Sequence, residues 1–327
     1  MAGSTDSVVG GVADDLFDKY LLPKLALTVI LAASLAGTAV SVGLTGRWAG
    51  VLIAAKWGYF VALGVLTGGL VWQHGFVRPA DLAAGAERYC ERMYRRFDRI
   101  RLAAAGVLAA TGVVVLARYR GAVGELPVGV VAGAVLGLVA VTLVTATWSR
   151  PADARFRHPA GLLAVALALL AVASTAVAEV ALRGGNLTDV LVRILHLGAF
   201  ALWLGGAVWN IFVAVPTGQR EPTVPVVRAA GQQLERFRWA VRFIIPTLLL
   251  TGGYQAVAAL GYRPATYVGS GIGLLVLAKL GFVVLLVGIF LTCPMWRACS
   301  PIDGVCDLAE LDSTADAPEE VSATADD

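Results

Sequence analysis

The chain has 327 residues, 58% hydrophobic and 15% charged, with a net charge of +3. A typical soluble domain is about 45–50% apolar and about 25% charged, so an ordinary water-soluble globule is excluded. No nucleic-acid partner is expected either, because the net charge is small and the basic residues are not gathered for a polyanion. Four cysteines in so long a chain do not build a disulfide scaffold, and all four fall in stretches assigned below to the reducing side.

The first 24 residues carry Asp6, Asp14, Asp15 and Asp18 and lack a basic region followed by a short apolar core. They do not read as a cleavable signal peptide, and Val12 to Leu22 reads as a short surface helix. Eight apolar runs follow, at 25–45, 50–73, 102–117, 128–148, 160–182, 188–215, 243–261 and 267–292. Each reads as a transmembrane helix, the third short and the sixth long. The connections 74–101, 149–158 and 216–242, together with the termini, hold 18 Lys and Arg residues. The opposite connections hold 5, namely Arg47, Arg118, Arg120, Arg183 and Arg263. The positive-inside rule then places both termini in the cytoplasm of a multi-pass protein of the cell membrane, with the lipid bilayer as its surroundings. From Asp307 to Asp327 the composition is acidic, rich in Ser, Thr and Ala and free of aromatics, which predicts a disordered tail.

Sliding the sequence on itself reveals matches at an offset of 137 to 140 residues. Gly68-Gly69-Leu70-Val71-Trp72-Gln73 meets Gly205-Gly206-Ala207-Val208-Trp209-Asn210, and Arg95-Arg96-Phe97 meets Glu235-Arg236-Phe237. Thr111-Gly112 meets Thr251-Gly252, and Val128-Gly129 with Gly133 meets Val268-Gly269 with Gly273. The expectation is an all-α protein of eight transmembrane helices in two tandem four-helix repeats. Four crossings per unit give both the same orientation, with a pseudo-twofold axis along the membrane normal. The segments are 1–24 cytoplasmic, 25–148 first repeat, 149–158 basic connection, 159–292 second repeat and 293–327 cytoplasmic tail. The paired glycines would let helices two and six approach a neighbour closely. His196 faces Tyr59 and Lys279 faces Ala140 across the repeat, so the polar chemistry concentrates in the second half, while Lys56 matches Arg193.

Lys279 lies too deep in the last span for its stem, about 6 Å long, to bring the ammonium to water. Intramembrane charges usually face the bundle interior and serve a site, the alternative being a neutral lysine bonded to a backbone carbonyl. His196 lies within reach of a similar depth, so the two side chains can share a pocket if spans six and eight are neighbours. Imidazole is the commonest protein metal ligand, and the competing reading is a core histidine bonded to a nearby helix. Helical steps from His196 give Phe200, Trp203, Ala207 and Asn210, which combine a ligand, a flat wall and room. His74 and His158 lie at the cytoplasmic border and cannot form a bis-histidine haem site with His196. Met1, Met93 and Met295 form no thioether ladder for Cu(I). Cys293, Cys299 and Cys306, with Cys90 on the same side, offer soft thiolates for a metal or are plain reduced thiols; their spacing fits no tight ligand motif.

The run His196-Leu-Gly-Ala-Phe-Ala-Leu-Trp203-Leu-Gly205-Gly206, followed by Arg236-Phe237, Pro246, Thr251-Gly252 and Leu277-Ala-Lys279-Leu280, resembles the copper-resistance protein D (CopD) family. The resemblance covers residues 188–292 and implies a role in copper handling, by transport or tolerance, with a copper ion or a periplasmic or cytoplasmic copper carrier as partner. It implies His196 as a ligand, and the tail cysteines stand as candidate acceptors. A more distant similarity to the HemJ type implies instead a haem b or porphyrin held by His196 and Lys279, with Trp203 on the wall. A third reading is a membrane scaffold whose polar groups fix helix register. No catalytic residue is assigned.

Overall fold

The computed structural model describes residues 3–46, 48–77, 85–220 and 223–292, and side chains over the same stretches except 3–22, 224 and 290–292. Cys293, Cys299, Cys306 and the acidic tail lie outside the described residues. Every regular element described is helical. In chain order these are α1 (Gly3–Gly43), α2 (Gly50–Val71), α3 (Glu87–Val123), α4 (Glu125–Ala146), α5 (Ala152–Arg155), α6 (Pro159–Ala181), α7 (Leu187–Val208), α8 (Val215–Gly218), α9 (Val224–Leu260), α10 (Pro264–Val268) and α11 (Gly271–Thr292). Eight are long and apolar enough to cross a membrane, which defines a multi-pass membrane protein.

Three boundaries differ from the sequence reading. The segment expected as a separate surface helix is continuous with the first span, α1 running through Pro23. The basic connections 74–101 and 216–242 are largely helical, since α3 begins at Glu87 and α9 at Val224. On α3 the arginines alternate with Tyr89, Cys90, Met93, Tyr94 and Phe97, all buried, so an amphipathic stripe continues the helix beyond its apolar window. The last span starts later than expected, because Pro264 opens the short α10 and Ser270 then accepts from Gly273 N at 3.0 Å, starting α11.

The centre of the bundle is the crossing of α2 and α7. A methyl group added to Gly68 would sit 2.1 Å from Ala201 O, and one added to Gly205 would sit 2.4 Å from Gly68 Cα, so the two backbones touch through glycine. Gly69 faces the Phe97 ring and Gly206 faces the Phe237 ring. Trp72 stacks edge-on against Phe237 and Trp209 lies against Phe97, an exchange of aromatic contacts between the halves of the chain. Directly after each glycine pair the helix widens into a π-helical turn, Trp72–Phe76 and Trp209–Ala214. Around this core α3 packs along α2 and α4, α4 along α6, α9 along α7, and α11 along α1. α9 and α11 barely touch each other directly.

Candidate functional site

The gap between α9 and α11 is a cavity of about 390 Å³, bounded by α1, α7, α9 and α11 with Phe60 of α2. His196, Trp203 and Lys279 all line it. His196 is nine residues from the start of α7 and Lys279 eight from the start of α11, so helical rise puts both about 12–14 Å below the same end of the bundle. We call this the upper end. The later start of α11 removes most of the depth difference expected from the sequence, and His196 Nε2 stands 3.5 Å from Lys279 Nζ.

Glycines make the room. Lys279 Nζ lies 3.1 Å from where a Cβ on Gly37 of α1 would be, and His196 Cε1 lies 3.4 Å from that position on Gly252 of α9. Next to Gly252, Thr251 fixes the imidazole. Its hydroxyl donates to Thr247 O, as threonine does inside a helix, and lies 2.9 Å from His196 Nδ1. With its proton committed to Thr247, the hydroxyl can only accept, so Nδ1 carries the ring proton and Nε2 keeps a lone pair facing Lys279 and the cavity. Gln255, one turn further along α9, donates to Thr251 O at 3.1 Å and accepts from Arg193 Nη1 at 3.0 Å.

Arg193 leads to a second group that the sequence reading did not single out. Glu179, 1% exposed on α6, accepts from Ser41 and Tyr119 at 2.8 Å each, pairs with Lys56 at 2.8 Å and reaches Arg193 at 3.4 Å. Lys56 also donates to Ser41 Oγ at 3.1 Å. A polar chain therefore runs from Lys56 through Glu179, Arg193, Gln255, Thr251 and His196 to Lys279 across the upper half of the bundle. The signal for Glu179 was available: a carboxylate in an apolar span is expensive and needs a partner. Tyr59, which the sequence offset sets against His196, bonds Thr175 at 2.7 Å and is absent from the cavity wall.

The other candidates lie elsewhere. His74 packs against Gly161, and His158 caps α6 through Ala160 N and contacts Arg150. Neither lines the cavity that holds His196. Cys90 is buried and free. Among the described residues no three His, Cys, Asp or Glu side chains converge as a metal cluster. Asn210, read as part of the stripe from His196, bonds Gly206 O on its own helix and is absent from the cavity wall, as is Ala207.

Fold and cavity together define a multi-pass membrane protein with a largely apolar pocket between its spans that carries a few polar groups. No protein-family model, curated protein or solved structure matches the chain.

Proposed function

We propose that this chain is an integral protein of the cell membrane that handles copper, by transport or tolerance, with the ion as cargo held at His196 Nε2 beside Lys279. The observation that carries the reading is the Thr251 hydroxyl 2.9 Å from His196 Nδ1, which leaves Nε2 turned to the cavity. A metal-binding imidazole characteristically uses its other nitrogen to hold its orientation, and the Thr251 hydroxyl does this here. Imidazole suits copper, and the Lys279 side-chain nitrogen stands 3.5 Å away. The CopD-like pattern puts its histidine, its Thr-Gly pair and its lysine at this one place. The proposed topology has both termini in the cytoplasm and two tandem four-helix units; the upper end then faces outward, and the tail cysteines would be acceptors on the inner side. Support for the tandem units comes from the glycine-to-glycine crossing at Gly68 and Gly205 and the exchanged Trp–Phe contacts.

Cu(I) titration of the purified protein against a chelating indicator tests this reading. The wild type should hold stoichiometric copper and His196→Ala should lose it; equal binding by the two overturns the proposal.

A haem b or porphyrin ligand is the second reading, favoured by the aromatic part of the cavity wall. The cavity volume of about 390 Å³ lies in the range of small-molecule sites, roughly 300–1,000 Å³, and Phe60, Phe200 and Trp203 line it. His196 Nε2 would serve as axial ligand, and a Soret band lost in His196→Ala would establish it.

A further inference from the structure

The ionisable groups at the cavity wall are basic. Arg193, His196 and Lys279 line it beside the hydroxyls of Ser34, Thr38 and Tyr267, and no carboxylate does among the described residues. Arg193 is 8% exposed; Nη1 donates to Gln255 and Nη2 lies 3.4 Å from Glu179, while its buried Nε has no hydrogen-bond partner. Lys56 draws on the same carboxylate at 2.8 Å. Lys56 and Arg193 thus share one acid, and Lys279, beside His196 at 3.5 Å, has no carboxylate partner among the described residues. Buried charge without compensation is costly, so the polar end of the cavity is set up to receive a negative group.

Most of the remaining wall is apolar, including Phe200, Leu248 and Phe282. The rim is apolar too and opens between α9 and α11, where Leu249, Leu277 and Leu280 are 45%, 38% and 53% exposed. In a membrane that rim meets hydrocarbon. At roughly 30 Å³ per water-sized group the cavity accommodates about a dozen such groups. A longer chain must leave through the gap into the bilayer.

We infer that the cavity binds a membrane amphiphile with one anionic head, a carboxylate or a phosphate, whose head sits between Arg193 and Lys279 and whose acyl chain passes out between α9 and α11. This goes beyond the copper reading and needs no metal.

The test uses the full chain purified in uncharged detergent with a metal chelator present, titrated with oleate, dioleoylphosphatidate and oleyl alcohol. An anionic amphiphile should bind at least about tenfold more tightly than oleyl alcohol, the worth of one good charge-assisted contact. Lys279→Met should weaken the anion by about tenfold and leave the alcohol unchanged. Preference for oleate assigns the head to a free fatty acid, and preference for dioleoylphosphatidate to a phospholipid; both support the inference. Equal binding of oleate, phosphatidate and alcohol, binding of none of them, or undiminished anion binding by a folded Lys279→Met protein overturns it. Because Arg193 also holds Glu179, the wild-type comparison and Lys279→Met carry the test. Copper titration of the same preparation without chelator reads the copper proposal separately, so either can fail alone.

Discussion

Replacing Glu179 by Gln keeps the shape of the side chain and removes its charge. In the wild type the carboxylate takes hydrogen bonds from Ser41 and Tyr119 and lies 2.8 Å from Lys56 and 3.4 Å from Arg193. Lys56 and Arg193 are 5% and 8% exposed, so the variant leaves cations that water cannot reach. Removing one partner of a buried ion pair costs about 3–5 kcal/mol. The amide can still accept from Ser41 or Tyr119, which puts Glu179→Gln near the lower end, while Glu179→Ala adds a void and moves toward the upper. Denaturant unfolding of the detergent-solubilised protein, followed by tryptophan fluorescence, measures the loss. Arg120→Gln breaks the pair with Glu125, whose side chains are 72% and 82% exposed, and should change stability by less than about 1 kcal/mol. Lys56→Met combined with Glu179→Gln should cost less than the sum of the single changes, by about 1–3 kcal/mol. A loss below about 1 kcal/mol for Glu179→Gln, or strict additivity in the double variant, would refute the view that this carboxylate neutralises the cluster.

Gly68→Ala and Gly205→Ala each drive a methyl group into backbone of the opposing helix and should cost about 3 kcal/mol or more. Gly106→Ala, which meets nothing within 4 Å, should be neutral or gain up to about 1 kcal/mol; thermal unfolding separates the two cases, and equal effects would contradict the central crossing. Thr251→Val leaves the His196 ring without its partner at Nδ1 and should lower copper affinity about 10–100-fold in chelator competition, an unchanged affinity showing that the hydroxyl does not set the tautomer. Asp98 takes two bonds from Arg155 and one ion pair from Arg101, so Asp98→Asn should destabilise by about 3–5 kcal/mol in the same unfolding assay, and a smaller loss than Arg120→Gln would count against a buried pair there.

The spans were legible because bilayer thickness imposes a length and a composition on any crossing helix. Their ends were less so: hydropathy sees where charge begins, and α3 and α9 continue through charge because Tyr89, Met93 and Phe97, or Val226, Val227 and Ala230, keep one face buried. The similar depth of His196 and Lys279 was legible, but that they meet depended on which helices are neighbours, which depth does not give. The geometry of their meeting was not legible either, since it depends on Gly37, an unremarkable glycine in the first span until Lys279 lies over it. Glu179 was overlooked although the basic residues pointed to it. Once connections and termini are assigned, Lys56, Arg193 and Lys279 are the basic residues left inside spans, and a buried group of cations requires an acid.

The cavity opens between α9 and α11, and no such gap separates α3 from α4, because of the links between helices. Between α3 and α4 there is a single residue, Gly124, whose φ of 90° suits glycine and reverses the chain so tightly that α4 must run beside α3. Between α9 and α11 the corresponding link spans residues 261–270 and contains Gly261 at φ 74°, Pro264 and the short α10. That length frees α11 to pack along α1, carrying Lys279 over Gly37 and away from α9. Thr251 and Gly252 on α9 then face His196 across space that, in the first half, α3 and α4 close by direct packing. In the proposed repeat, Thr111 and Gly112 stand where Thr251 and Gly252 do, yet Tyr59 replaces the histidine and the neighbouring helices meet. The difference between the two links therefore accounts for an open pocket between α9 and α11 and for direct packing of α3 on α4.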